Sequence, residues 1–232
     1  MDSSVKSLFF FKNMANTRDH WWLMAGFVLL LAWDASGLDL PLAHWYGQAS
    51  GFPLQNDPLL SVWLHDAVRK AGWVVLLTLT AGIWWPLGLL REQTQRQRAW
   101  MVGSIWLSLL VVVLLKGISR TSCPWDVDAF GGTLPYVSHW NWWVSDGGPG
   151  RCFPGGHAST AFAFLPVAFW WRFTHPAWAK ACLGFVLMAG LGLGWVQQMR
   201  GAHYLSHNLW TLWVCGFTAW ALWALGHHKP TA

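Results

Sequence analysis

Six apolar stretches, each about as long as a membrane-crossing helix, constrain the fold of this chain more than any other feature. A helix needs about 20 mostly apolar residues to cross a bilayer. Only 11% of the 232 residues are charged, whereas a soluble domain carries roughly 25%. This composition excludes an ordinary soluble globule and a disordered chain. The predicted spans are residues 21–38, 72–90, 99–115, 158–173, 181–199 and 209–226.

We therefore expect an all-α protein, a polytopic membrane bundle of six transmembrane helices with a functional loop region facing outward. Residues 21–226 form the predicted six-span domain, residues 1–20 a cytoplasmic N-terminal segment and residues 227–232 a cytoplasmic tail. The first stretch is the weakest of the six, because Asp34 interrupts it. An alternative interpretation of that stretch is the core of a signal peptide.

Lys and Arg residues mark alternate connections, and cytoplasmic loops carry the excess of such cations. They occur before the first stretch, between the second and third, between the fourth and fifth, and after the sixth. This pattern predicts a multi-pass cell (inner) membrane protein with both termini cytoplasmic. Residues 39–71, 116–157 and 200–208 then face the periplasmic or extracytoplasmic side. The 15 Lys and Arg residues form no dense basic run, so we expect no nucleic-acid partner.

Two polar segments of the long outer connection carry residues suited to binding an anion. The segment that leaves the third span contains Lys116 and Arg120, which would share a face if the helix continued. The segment that enters the fourth span is a Pro-Gly-Gly turn followed by His157. Gly156 in this turn lets backbone N–H groups approach a ligand closely, and a helix start favours an anion.

A third polar segment joins the last two spans and contains Arg200, His203 and His207. All three segments adjoin span ends on one predicted face, so helix packing can bring their side chains together. Cations stabilise the charge of a phosphoryl transition state, and an imidazole can act as nucleophile or acid near neutral pH. We therefore expect a phosphate monoester or anhydride on a membrane lipid as the substrate.

These segments resemble the motifs of the type 2 phosphatidic acid phosphatase superfamily, the lipid phosphate phosphatases related to vanadium haloperoxidases. The family pattern is Lys, six residues and Arg-Pro; then Pro-Ser-Gly-His; then Ser-Arg, five residues, His, three residues and Asp. The matching positions are Lys116 and Pro124 in the first motif, Pro154, Gly156 and His157 in the second, and His203 in the third.

Four positions depart from the family pattern, and they change the expected phosphate ligands. They are Cys123 in place of Arg, Gly155 in place of Ser, Gln197 in place of Arg, and His207 in place of Asp. We expect Arg120 and Arg200 to compensate, because each can share a helical face with Lys116 or His203. The chain would then be a divergent branch with rearranged phosphate ligands.

The resemblance implies a two-step reaction that needs no metal and no cofactor. His203 would attack phosphorus to form a phosphohistidine, and His157 would protonate the leaving alcohol and then activate water. Three cations, Lys116, Arg120 and Arg200, would hold the oxyanions together with backbone N–H groups near Gly156. The substrate could be phosphatidic acid, phosphatidylglycerophosphate, undecaprenyl pyrophosphate or a phosphate of lipid A.

Two features of the outer loops have alternative interpretations. His207 is the candidate for orienting His203, with Asp126 or Asp128 as alternatives. Cys123 and Cys152 fall in one predicted outer loop, where an oxidising compartment would allow a disulfide, and two free thiols are the alternative.

Two other functions compete with the phosphatase. His203 and His207 have the spacing of helical metal ligands, and His157 could be a third ligand of a metal-dependent hydrolase. Six spans with a cationic patch would also suit a transporter of anionic lipid or solute. The cations gather at one face and not at mid-membrane, which is unlike a typical transport site.

Overall fold

The structure is a computed structural model and describes residues 18–228. The first 17 residues of the predicted N-terminal segment and residues 229–232 of the predicted tail lie outside the described residues. Within the described range the chain forms helices, turns and isolated β-bridges, without a β-strand. The all-α class is therefore confirmed for this part of the chain.

The described residues form eight α-helices, which we number in chain order. They are α1 (Asp19–Ser36), α2 (Asp39–Ala43), α3 (Val68–Ala81), α4 (Gln95–Ile118), α5 (Ser159–Phe162), α6 (Leu165–Trp171), α7 (Pro176–Met199) and α8 (Leu205–His228). A π-helical stretch, Leu59–Ala67, runs directly into α3. Short 3₁₀ turns cover Gly88–Glu92, Pro124–Asp126 and Asp128–Phe130.

Three of the described helices are long and apolar enough to cross a membrane. They are Gln95–Ile118, Pro176–Met199 and Leu205–Gly226. Many large apolar side chains on the helix surfaces are exposed, including Leu29 at 70% and Met188 at 71%. Such an apolar surface is compatible with surrounding lipid. Six membrane spans remain a prediction.

Two of the predicted spans differ from the helices that form. The second predicted span, residues 72–90, was placed too late, because its helix ends at Ala81 and the chain turns before Pro86. The fourth, residues 158–173, is divided into α5 and α6. The division falls at Phe164, just ahead of Pro166 in the first turn of α6. A proline lacks the N–H that a continuous helix would need at this point.

The long helices pack so that the C-terminal end of α4 lies beside the N-terminal end of α8. Their contact is the most extensive between any two of the described helices. Val112, Phe162 and Cys215 bring α4, α5 and α8 together in one buried apolar cluster. The three polar segments singled out in the sequence therefore begin or end on neighbouring helices.

The first turn of α8 is anchored by a carboxylate from α2. The backbone N–H of Ser206 donates to Oδ1 of Asp39 (3.1 Å), and the Ser206 hydroxyl donates to the other carboxylate oxygen. The indole N–H of Trp33 also donates to Asp39 Oδ1 (2.9 Å). A negative charge at a helix N-terminus satisfies its free N–H groups. These contacts fix where α8 starts, and therefore where His207 lies.

Candidate active site

Lys116 lies in the last turn of α4 and is half-buried. The helix ends at Ile118, and Ser119 adopts an extended backbone. A Cβ added to Gly156 would lie 3.7 Å from Lys116 Cδ and 4.0 Å from its Nζ. The ammonium group therefore lies beside the glycine turn, and a long side chain at Gly156 would compete with it for space.

The Pro-Gly-Gly turn is fastened to the first turns of α8. The Gly155 N–H donates to the His207 carbonyl (3.0 Å), and the Thr211 hydroxyl donates to the Gly155 carbonyl (2.9 Å). A Cβ on Gly155 would lie 2.4 Å from Asn208 Oδ1. The serine of the family pattern therefore has no room here, and the glycine lets the turn deliver His157 beside α8.

His203 lies in the short connection between α7 and α8 and is buried. Its ring centroid is 6.3 Å from that of His157 and 5.8 Å from that of His207. Its Nδ1 faces Cys152, with the sulfur 3.5 Å away. Nε2 is therefore the ring nitrogen of His203 that is left for chemistry.

The surroundings of His203 keep its imidazole neutral. Burial lowers the pKa of His203 well below the ordinary 6.5, and the positive charges of Lys116, His207 and His157 lower it further. A hydrogen bond to the backbone of Cys152 opposes this shift. A neutral imidazole has a free lone pair on one ring nitrogen, which is the form that a nucleophilic histidine requires.

The structure brings five of the predicted site residues into one cluster. They are Lys116, Gly156, His157, His203 and His207. They come from three separate segments of the chain. The cluster lies at the C-terminal end of α4 and the N-terminal end of α8.

Arg120 does not share a helical face with Lys116, so that prediction is wrong. α4 ends at Ile118, and Arg120 follows in extended backbone with its side chain exposed. Two residues beyond a helix end, the regular spacing no longer determines which way a side chain points. Arg120 therefore lies in the exposed loop that follows α4.

Arg200 does not share a helix with His203 either, because α7 ends at Met199 and Gly201 has a φ of 75°. The guanidinium of Arg200 donates instead to the Gln55 carbonyl (3.0 Å) and to Oε1 of Gln197 (3.3 Å). Burial lowers the pKa of Arg200. The compensating cation thus contacts the residue that replaces the family arginine, and not the imidazoles.

Gln197 is a buried amide at the position of that family arginine. Its Oε1 accepts from Arg200, while its Nε2 has no hydrogen-bond partner among residues 18–228. An unpaired buried N–H is costly, and this amide keeps such a donor among the described residues.

Both aspartates considered for orienting His203 accept hydrogen bonds from backbone N–H groups of their own loop. Asp126 accepts a hydrogen bond from the Cys123 N–H (3.3 Å), and burial raises its pKa. Asp128 is exposed and accepts from the N–H of Ala129 (2.7 Å). Both carboxylates serve the local turns that follow α4.

Cys123 and Cys152 are joined in a disulfide. The adjacent backbone is paired as well, since the Arg151 N–H donates to the Ser119 carbonyl (2.9 Å) and the Cys152 N–H donates to the Thr121 carbonyl (3.0 Å). The segment that follows Lys116 is thus held against the segment that leads to His157. At the position of the family arginine, this chain has a disulfide-bonded cysteine and not a cation.

Sequence reasoning missed Asp34 and His139, which lie behind His207. His139 is buried, its ring centroid is 5.6 Å from that of His207, and its Nε2 is 3.4 Å from Asp34 Oδ2. The signal for Asp34 was present, because an acidic residue inside an apolar stretch is usually functional. His139 lies in the loop between α4 and α5, and no spacing rule connects it to a motif.

The three site histidines do not form a metal-ligand cluster in the described part of the chain. The group whose ligand atoms lie within 4.8 Å of one another is Cys123, Cys152 and His203, and its two sulfurs are bonded to each other. His203 precedes α8, so the helical spacing expected of two metal ligands does not apply. The Lys116 ammonium would also repel a divalent cation.

A comparison with known families agrees with this arrangement. The sequence model of the PAP2 superfamily matches residues 98–230, a region that contains all three motifs. The chain belongs to the PAP2 superfamily. Members of the PAP2 superfamily are phosphatases, which supports a hydrolase of phosphoric esters. No curated protein and no solved structure matched the chain in the corresponding searches.

Proposed function

We propose that this PAP2 superfamily protein hydrolyses a phosphate monoester or pyrophosphate on a membrane lipid through a phosphohistidine. The observation that carries the proposal is the meeting of Lys116, His157 and a buried, neutral His203 at the ends of apolar helices. An imidazole nucleophile, a second imidazole and a fixed cation are the groups that phosphoryl transfer requires.

In the first step, Nε2 of His203 attacks phosphorus. The N–P bond forms while the bond between phosphorus and the lipid oxygen breaks. His157, on the far side of a gap of 6.3 Å between ring centroids, gives its proton to that oxygen. The lipid product leaves as a neutral alcohol, or as a lipid monophosphate when the substrate is a pyrophosphate.

In the second step, the neutral His157 accepts a proton from water as the water oxygen attacks phosphorus. The N–P bond breaks, inorganic phosphate leaves, and His203 returns to its neutral form. Each histidine therefore ends the cycle in the protonation state in which it began.

Several groups hold the phosphate oxygens, and they differ in how much each contributes to binding. The half-buried Lys116 ammonium lies beside the glycine turn, where its charge is screened least. The Gln197 amide and its Arg200 partner offer further donors at the position of the family arginine. Arg120 is exposed in the loop that follows α4, and its charge attracts the anionic substrate towards the site.

An apolar cavity supports a lipid as the carrier of the phosphate. It has a volume of about 780 Å³ and lies among α1, α6, α7 and α8. Leu30, Trp33 and Leu209 line one end, and Leu30 and Leu209 pack with Phe153, the residue before the Pro-Gly-Gly turn. A hydrocarbon chain in this cavity would extend from the membrane interior towards the phosphoryl site.

We further propose that the site faces the periplasm or cell exterior. The distribution of cations along the sequence supports this orientation. The Cys123–Cys152 disulfide also supports it, because structural disulfides persist in oxidising compartments.

The test is phosphate release by the purified protein in detergent from a panel of lipid monophosphates and lipid pyrophosphates. We expect release with at least one class, no inhibition by a chelator, and loss of release in a His203→Ala variant. His175→Ala is the matched control, because His175 pairs with Glu92 (2.7 Å) at the opposite end of the helices. Absence of release from every lipid, or unchanged release by His203→Ala, would contradict the proposal.

A further inference from the structure

Asp34 is a buried carboxylate near the C-terminal end of α1. Its side chain is 4% exposed, and Oδ2 accepts from the indole N–H groups of Trp210 (2.8 Å) and Trp140 (2.9 Å). Oδ1 has no hydrogen-bond partner among the described residues. Burying a carboxylate is costly unless it is paired. The ionisable group within ion-pair distance of Asp34 in residues 18–228 is His139.

His139 lies between this carboxylate and the catalytic cluster. Its ring stacks on Phe153 with centroids 4.2 Å apart and planes 8° from parallel. The same ring meets His207 edge to face, with centroids 5.6 Å apart. Stacking fixes the plane of the imidazole, so one edge is held towards Asp34 while the ring also contacts His207.

His207 stands where the family pattern has the aspartate that orients the nucleophile. It is buried, its Nδ1 has no hydrogen-bond partner among the described residues, and its ring centroid is 5.8 Å from that of His203. An imidazole can orient another side chain only when its own tautomer and ring position are fixed. In this chain a carboxylate reaches His207 indirectly, from α1 through His139.

We propose that Asp34, acting through His139, is the positioning carboxylate of this site. It lies on α1 and not at the position of His207, and the rings of His139 and His207 lie between it and His203. The inference rests on the proposed phosphatase function, because the role it assigns is to orient the nucleophile of that reaction.

A charge removed at Asp34 should also change the titration of the site. The titratable groups that face His203 and His207 are Lys116 from α4, His139 from the outer loop, His157 ahead of α5 and Tyr204 ahead of α8. Asp34 adds a negative charge next to His139, on the side away from His207. A negative charge raises the pKa of a nearby imidazole. In a variant without the Asp34 charge, the pKa of His203 should be lower, so its imidazole should stay neutral down to a lower pH.

The test compares Asp34→Asn and His139→Phe with the wild-type protein in detergent. Asn can still accept the two indole hydrogen bonds, and Phe can still stack on Phe153. We expect kcat to fall about tenfold to a hundredfold in each variant with KM within about twofold, since neither residue contacts the substrate and both act through His207. The acid limb of the rate profile of Asp34→Asn should move to lower pH.

Non-additivity provides a second readout. If the two residues act as one unit, the double variant should be no slower than the slower single variant. Asp34→Glu should recover part of the lost kcat, whereas Asp128→Asn, a change at an exposed outer carboxylate, should leave kcat unchanged.

Three outcomes would overturn this inference while the proposed function stands. They are an unchanged kcat and pH profile in Asp34→Asn, fully additive losses in the double variant, or a lower kcat with an unmoved acid limb. Size-exclusion and melting profiles identify a variant that fails to fold. If Asp34→Asn fails to fold, the rate and pH profile of His139→Phe decide. A wild-type protein that releases no phosphate would instead contradict the proposed function itself.

Discussion

The imidazole rings of His157 and His203 lie with their centroids 6.3 Å apart, although the two residues belong to different motifs. A phosphorus atom between them could lie about 3 Å from a nitrogen on either side. In the proposed mechanism, His203 and His157 act on one phosphoryl group as nucleophile and acid. Lys116, beside the glycine turn, provides the charge for the oxygens around it.

The two cations nearest the end of α4 should have different kinetic roles. Lys116→Met removes the half-buried ammonium from the site, and we expect kcat/KM to fall about 100- to 1,000-fold, mainly through kcat. Arg120→Ala removes an exposed charge from the loop that follows α4. KM should therefore rise a few-fold at low ionic strength, with kcat unchanged. Steady-state kinetics at low and high salt measure both effects. Equal losses of kcat in the two variants would show that Arg120 binds the transition state.

The pH dependence of the reaction should follow the lowered pKa of His203. Burial and nearby positive charge hold this pKa well below 6.5, so lowering the pH to 6.5 leaves the nucleophile neutral. The acid limb of kcat/KM should therefore lie below 6.5. Lys116→Met removes one of the charges that depress the pKa, so its acid limb should move to higher pH. A wild-type limb centred at or above 6.5 would contradict this assignment.

The Cys123–Cys152 disulfide should contribute to both stability and activity. It closes a loop with a sequence separation of 29 residues, and a loop of that length predicts about 3 to 4 kcal/mol of stabilisation. Cys123→Ser with Cys152→Ser should lower the melting temperature and slow phosphate release, because the segments leading from Lys116 and to His157 are no longer tied. Cys182→Ser is the control, since Cys182 is a free thiol in α7. An unchanged melting temperature in the double serine variant would refute the contribution.

The apolar cavity should distinguish long-chain from short-chain substrates. Gly216 lines the cavity, and a Cβ there would meet Leu165 and Leu23 at 3.8 Å, so Gly216→Leu should fit and occupy part of the space. We expect KM for a long-chain lipid phosphate to rise several-fold, while KM for a water-soluble short-chain phosphate stays constant. Gly184→Leu, in open surroundings on α7, is the control. Equal effects on both substrates would exclude the cavity as the chain-binding site.

The sequence predicts the long helices of this fold well and the broken ones poorly. Apolar composition locates α4, α7 and α8 to within a few residues, because a long unbroken apolar run with few charges has few alternatives. It does not locate the break at Phe164, because many proline-containing apolar stretches remain one kinked helix. The early end of α3 likewise depends on tertiary packing that periodicity does not encode.

The sequence predicts those site residues whose motif fixes their local geometry. It does not predict residues that reach the site from a distant part of the chain. Lys116, His157 and His203 could be found because their motifs adjoin helix ends. Arg120 and Arg200 were placed by helical spacing, which fails once α4 and α7 have ended. The contact of His139 with Asp34 joins residues far apart in the chain, and no local pattern predicts it.

The most direct test of the phosphohistidine mechanism is to trap the intermediate. A His157→Ala variant given a phosphate ester with a good leaving group should still be phosphorylated, because that leaving group needs no acid. It should then hydrolyse slowly, because no base activates water. Alkaline quenching followed by peptide mass spectrometry should find the phosphoryl group on His203, and none in a His157→Ala/His203→Ala variant. Phosphate on another residue, or catalytic turnover by His203→Ala, would contradict the account.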